Sequence, residues 1–357
     1  VSKVKNKYDF TSARILVTRT DRLGDVLLAT PVLSRIVEFY PQAQVSFLVQ
    51  KPWLSILPSE LTGQAVELIE YDPKSPGNEL TALLKSKNFD VAIVLRDEKK
   101  ITKAVRRAKI PVRVGPYSSL RSFFAFNAGI LQKRSQCKMH EAEYNLELLT
   151  KIGINRGLPA RTASELPRSW IHLQENARQS VNNFLRAQDL TEKKYLCFHP
   201  GSSGSARYLS TAQMIEFTRV LLARGHAVVL TGSEAEAPLL EEIQAAASGA
   251  RIFGGREPKP LSELAALYEN AQGLIAHGTG PLHVAAATST AVLAIFSPIF
   301  VLSEKRWGPL TPRRMTWLPP AVNCPAKFKC HGPKCRYYDC MSRFVAIDVA
   351  EKFEKIL

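Results

Sequence analysis

Short apolar, β-branched runs recur along this chain at intervals of helical length, and the series occurs twice. The first set is RILVTR (14–19), QVSFLVQ (44–50), VELIEY (66–71), FDVAIVLRD (89–97) and PVRVGPY (111–117). Helical periodicity fills 31–40, 79–87 and 99–109 between them. The second set is KYLCFHPGS (194–202), HAVVLTGS (226–233), ARIFGG (250–255), GLIAHG (273–278) and AVLAIFSP (291–298). Helices are expected near 173–187, 211–224, 236–248, 261–271 and 280–288. Strands apolar on both faces and separated by helices call for a parallel sheet in a layered α/β fold. Between the sets, NRGLPARTASELPRSWI (155–171) is rich in Pro, Arg, Ser and Gly and reads as a linker. A chain of 357 residues, 45% of them hydrophobic, has material for two such cores. Open parallel sheets bind ligands beyond the carboxyl ends of their strands, so the site is expected in a cleft between two facing halves.

The net charge of +16 asks for a polyanionic partner: nucleic acid, an anionic membrane face or a phosphorylated substrate. No helix-turn-helix, RNP, KH or zinc-finger pattern accompanies it, which argues against nucleic acid. VSKVKNKYDF at the N-terminus lacks the apolar core of a signal peptide, and no window approaches 18 uninterrupted apolar residues. Six cysteines in this length do not make a disulfide scaffold. The expectation is a cytoplasmic protein, with peripheral contact at a membrane surface left open.

Four segments carry the chemistry. TRTDRLGDVLLATP (18–31) packs two aspartates, two arginines and a glycine between apolar runs. Gly24 is expected to let the chain turn, and Thr30–Pro31 to start or kink a helix. HPGSSGSARYLST (199–211), LTGSEAE (230–236) and HGTGPLH (277–283) each place small residues after a strand and before a helix. Glycines admit a ligand close to the backbone, and exposed N–H groups at a helix start favour an anion. The same residues also serve as ordinary turns and caps. His283, in the first turn after Gly280, is either structural or a donor to a phosphate.

These segments, in this order and spacing from about residue 14 to the C-terminus, resemble the signatures of glycosyltransferase family 9, the lipopolysaccharide heptosyltransferases and their relatives. The pairing of GD-x4-TP with G-x2-H-x-A-A-A is the specific part. The resemblance implies a GT-B fold, two Rossmann-like domains with parallel sheets facing across a cleft. The acceptor domain would span 1–165, the nucleotide-sugar domain 172–340, and a helix in 341–357 would return to the first domain. It also implies inverting transfer from a nucleotide sugar with neither metal nor other cofactor.

Under that resemblance Asp25 is the catalytic base, taking the acceptor hydroxyl's proton. Its other reading is helix N-capping. Glu236 corresponds to the residue that holds the ribose, or is a solvated acid at a helix start. Ser202, Ser203, Thr279, Gly280 and His283 correspond to diphosphate-binding positions, and Leu261 lies in a segment near the base. Arg19, Arg22 and Gly24 fall on the acceptor side, with both arginines equally placed as partners for Asp21. Two departures bear on the donor. Relatives carry lysine where this chain has Ala206, with Arg207 a candidate replacement, and aspartate where it has Gly278.

The basic segments KKITKAVRRAK (99–109) and SLRSFFAFNAGILQKRSQCK (119–138) suit an acceptor dense in phosphate and carboxylate. Phe123, Phe124 and Phe126 either touch a lipid end or pack in the core. His140 and Glu141 either face the cleft or begin a helix. NCPAKFKCHGPKCRYYDC gathers Cys324, Cys330, Cys335 and Cys340 without a C-x2-C knuckle, so reduced or partly paired thiols are preferred to zinc. The expected function is heptose transfer from ADP-heptose to lipopolysaccharide inner core. The alternatives are another nucleotide-sugar donor, or a silent nucleotide-sugar-binding relative.

Overall fold

The computed structural model describes residues 9–155, 168–191, 194–202 and 207–357. The chain divides between His172 and Leu173 into two units. Most of the expected linker, along with Ser203 and Ala206, lies outside the described residues.

In the first unit, β1 (Arg14–Thr18) runs through α1 (Leu23–Leu27) and α2 (Thr30–Phe39) to β2 (Gln44–Gln50). Then come β3 (Glu60–Leu61), β4 (Gln64–Tyr71), α3 (Gly77–Ser86), β5 (Val91–Val94), α4 (Lys99–Arg107) and β6 (Val112–Pro116). The last elements are α5 (Leu120–Ala125), β7 (Ala128–Ile130) and α6 (Glu141–Glu147). The sheet order is β3-β4-β2-β1-β5-β6-β7, parallel apart from the short β3. All five expected strands are present. β3 and β7, two and three residues long, are too brief for a period-two signal. The apolar faces of α3 and α4, including Leu80, Leu84, Ile101 and Val105, close over Leu16, Leu48 and Val94 of the sheet. Phe126 belongs to this core, whereas Phe123 and Phe124 are exposed.

The second unit opens with α7 (Glu175–Ala187), β8 (Tyr195–His199), α8 (Thr211–Ala223), β9 (Ala227–Gly232), α9 (Ala237–Ala246) and β10 (Arg251–Gly254). It continues with α10 (Leu261–Glu269), β11 (Gly273–His277), α11 (Gly280–Ala287), β12 (Ala291–Ile295), α12 (Glu304–Trp307), β13 (Arg314–Trp317) and α13 (Ala346–Glu354). Its sheet order, β10-β9-β8-β11-β12-β13, is parallel throughout. β11, at its centre, is buried along its whole length. That explains why GLIAH shows no alternation.

The final helix differs from expectation. α13 packs on α8 and β13 of its own unit, with Val349, Ala350 and Phe353 buried beside Phe217, Trp317 and Phe344. Glu354 accepts from Arg224 Nε and Nη2 at 2.7 and 2.6 Å and from His226 Nε2 at 2.9 Å. An apolar stripe with a place in the second core stays with that core; truncating Phe353 to Ala would cost about 3–5 kcal/mol.

Candidate active site

In the first unit the site forms where β1 ends. The carboxyl ends of β1, β5, β6 and β7 share one edge because these strands are parallel. Thr18 is followed by Arg19, Thr20 and Asp21, and α1 begins at Leu23. Gly24 lies inside this short helix rather than at a turn, and is buried. α1 has no side-chain cap, so the capping reading of Asp25 does not hold. A break at Leu28–Ala29 separates α1 from α2, which starts at Thr30 with Pro31 in its first turn.

Asp25 is held by Arg19, which is 3% exposed and donates to it through Nη2. The same guanidinium donates through Nε to Asp21 at 2.7 Å, and through Nη1 to Glu141 at 3.1 Å and Asn145 at 3.2 Å. Arg134 Nη1 donates to the same Glu141 Oε1 and, at 3.3 Å, to the same Asn145 Oδ1. Asn145 Nδ2 donates to Leu28 O at 3.1 Å, tying the gap between α1 and α2 to α6. Burial pushes the Asp25 carboxyl up to about 6, Arg19 opposes the rise, and the neighbouring Asp21 and Glu141 add to it. A carboxylate poised there is ionised at neutral pH yet more basic than a free aspartate.

Of the residues expected on the acceptor side, Arg22 is exposed. Arg19, by contrast, turns inward and is the partner of Asp21 that its sequence position allowed. His140 begins α6, its Nδ1 accepting the Ala142 N–H at 3.2 Å. Glu141 enters the ion network, 1% exposed. The network's other members, Asn145 and Arg134, were missed. The signal for Asn145 was its place one helical turn after Glu141 in HEAEYNLELL, on the same face.

In the second unit, Glu236 sits beyond β9, where its Oε2 accepts from Ser233 N and Oγ, both at 2.8 Å. His199 ends β8, with Nε2 at 3.9 Å from Glu236 Oε2 and Nδ1 at 3.1 Å from Thr231 Oγ1. Gly201 is required by this arrangement, since a Cβ there would fall 1.7 Å from Glu236 Oε1. Thr279 precedes α11 at its N-cap position, with its hydroxyl donating to His277 O at 3.2 Å rather than capping, and Gly280 and Pro281 open the helix. His283 is buried in the same helix at 5% exposure. His277, at the end of β11, accepts the Leu209 N–H at 3.3 Å, and burial lowers it to about 4, so it is neutral. Neither His199 nor His277 was anticipated, although each closes a strand just before a glycine-bearing loop.

Leu261 is the first residue of α10 and partly buried. Ser202 lies three residues beyond the end of β8 and is partly buried. Arg207 forms an ion pair with Asp339 and lies over the Tyr338 ring at 4.8 Å. It lines a small cavity shared with Cys324, Cys330, Cys335 and Cys340. All four are free thiols of intermediate exposure. Among the described residues no three His, Cys, Asp or Glu side chains are arranged to hold a metal ion. At Gly278 a Cβ would meet the buried Phe296 ring at 2.7 Å, so an apolar ring occupies the room a side chain there would need.

A model of glycosyltransferase family 9 (heptosyltransferase) matches residues 78–335. A putative glycosyltransferase of Haemophilus influenzae is 26% identical over 325 residues, 86% of this chain and 90% of that protein. Lipopolysaccharide heptosyltransferase 3 of Escherichia coli is 24% identical over 294 residues, 80% and 84% of the two chains. Among solved structures, the family 9 glycosyl transferase of Veillonella parvula superposes with a TM-score of 0.78 at 17% identity, over 99% of both chains. The E. coli ADP-heptose LPS heptosyltransferase II does so with a TM-score of 0.67 at 22% identity, over 85% and 90%. The likeness of fold runs through both units, and the family's own sequence pattern spans most of the chain; this protein belongs to glycosyltransferase family 9, the heptosyltransferases, and has their GT-B fold.

Proposed function

We propose that this enzyme transfers a heptose from ADP-heptose to the lipopolysaccharide inner core, with inversion at the anomeric carbon and without a metal. The observation that carries the reading is Asp25, half-buried, raised to about 6 and fixed by Arg19 at the carboxyl edge of the first sheet. In the proposed step an acceptor hydroxyl attacks the anomeric carbon while Asp25 takes its proton. The bond from that carbon to the diphosphate oxygen breaks, and ADP leaves with the electron pair. Attack from the face opposite the leaving group inverts the configuration.

The donor roles follow the family positions. Ser202, Ser203, Thr279, Gly280 and His283 receive the diphosphate, whose charge the start of α11 favours. Glu236 accepts from the ribose hydroxyls, Leu261 lies toward the base, and Arg207 provides a cation where Ala206 has none. Arg22, exposed beside Asp25, faces the anionic acceptor. The proposed place of action is the cytoplasm, a reading supported by the likeness to lipopolysaccharide heptosyltransferases.

A different nucleotide-sugar donor is the second reading, favoured by Phe296 filling the space beside Gly278. Incubation with ADP-heptose, other nucleotide sugars and truncated core acceptors separates the two. Transfer from ADP-heptose supports the first; transfer of some other sugar alone overturns it.

A further inference from the structure

Between Lys99 and His140 the sequence holds eleven Lys and Arg and not one Asp or Glu. This stretch builds α4, β6, α5 and β7, and it also exposes four large apolar side chains. Leu120 is 81% exposed, Phe123 59%, Phe124 66% and Leu131 69%. The aromatic members touch one another: Phe123 meets Tyr117 at 5.3 Å and Phe124 at 5.7 Å between ring centroids. Leu131 follows Ile130, whose carbonyl accepts the Tyr117 N–H at 2.7 Å, so it adjoins the same patch. α4, packed beside α5, presents exposed Lys103, Arg106 and Arg107.

The patch is built rather than incidental. Ser119 and Ser122 form a capping box that starts α5, and Phe126 buries its far end. Asp97 accepts from Ser118 Oγ at 3.0 Å, Ser119 Oγ at 2.6 Å and Arg121 Nη2 at 3.0 Å. The preceding residue, Arg96, places Nη1 3.4 Å from Asp21 of the catalytic turn. Two adjacent residues thus tie the exposed helix to the turn that carries Asp25.

We propose that the α4–α5 surface docks on an anionic phospholipid bilayer, its apolar residues entering the interface and its cations facing the headgroups. Large apolar side chains flanked by Lys and Arg match that surface in both hydropathy and charge, the adjoining Asp97 being paired to Arg121 and only 4% exposed. Docking there holds the edge bearing Asp25 beside the membrane, where a lipid-anchored acceptor presents its sugars.

The test is sedimentation of the full chain with vesicles, in the absence of donor and acceptor, so its result is separate from that of the transfer assay. Binding to phosphatidylglycerol-containing vesicles is expected, at least about tenfold tighter than to phosphatidylcholine alone. Phe123→Ser combined with Phe124→Ser is expected to weaken it at least about tenfold. Lys103→Gln and Arg106→Gln should each weaken it roughly fivefold. All four positions are exposed, so thermal unfolding should not move, and that measurement guards against misfolding. Absence of binding to anionic vesicles overturns the proposal, as does binding indifferent to the Phe123 and Phe124 changes. Tight binding to duplex DNA or RNA without vesicle binding overturns it in favour of nucleic acid.

Discussion

Arg19 donates to Asp25 from the strand side while Asp21, Glu141 and Asn145 take the rest of its guanidinium. One planar cation therefore sets the position of the candidate base and offsets the repulsion among three carboxylates. Replacing the base without changing its shape is the cleanest probe. Asp25→Asn is expected to lower kcat by about 10²–10⁴, the range of general-base catalysis, with donor affinity unchanged by calorimetry. Wild-type turnover in this variant would remove Asp25 from the mechanism.

The pH dependence follows from the same contact. Asp25 must be ionised to accept a proton, so kcat/KM should rise with pH and level off above about 6. Arg19 favours the ionised form, and weakening its grip lets the apparent value climb. Arg19→Lys retains the charge but cannot present a planar fork to Asp25, Asp21 and Glu141 together. The acid limb of that variant should shift to higher pH, and unfolding should show a loss of several kcal/mol, since buried carboxylates lose partners. An unmoved limb would mean that Arg19 serves stability alone.

The central strands of both sheets were legible because continuous Val, Ile and Leu runs have one physical use, a strand covered on both faces; the edge strands β3, β7 and β13, the last reading RMTW, carry no such run. Asp25, Glu236 and the α11 loop were legible through the family motif, not through periodicity. What the sequence hid depends on tertiary partners. Arg19 and Glu141 are 122 positions apart, and nothing local tells a buried arginine from one facing solvent. The placement of α13 was misjudged for a related reason. An amphipathic stripe shows that a helix packs without naming the core that receives it. Gly24 was misread because a glycine between charged residues suggests a turn, whereas here it lies within a short buried helix.

Gly201 and Glu236 give a second handle on the donor side. The glycine's missing side chain is the space that the Glu236 carboxylate occupies, with 1.7 Å between Oε1 and an ideal Cβ. Gly201→Ala must displace Glu236 from Ser233 and from the neighbourhood of His199. The expected outcome is a rise in donor KM of roughly tenfold, the loss of about one hydrogen bond to a charged group, with a smaller change in kcat. In a Glu236→Ala background the same alanine should add little further loss. Full additivity would show that Gly201 acts by some route other than Glu236.

Gly278 tests why this chain has no side chain where the family resemblance led one to expect an aspartate. An ideal Cβ would lie 2.7 Å from Phe296 Cε1 and 3.0 Å from Cδ1, and Phe296 is 2% exposed, so the ring has little room to yield. Gly278→Asp should therefore destabilise the protein by about 1–3 kcal/mol through overpacking. Phe296→Ala alone should cost about 3–5 kcal/mol through the cavity it leaves. Combined, the two relieve each other, because the carboxylate enters the space the ring vacates. The double variant should be more stable than the sum of the singles predicts by at least about 1 kcal/mol in denaturant titrations. Strict additivity would sink the steric account and leave the glycine explained by the donor rather than by Phe296.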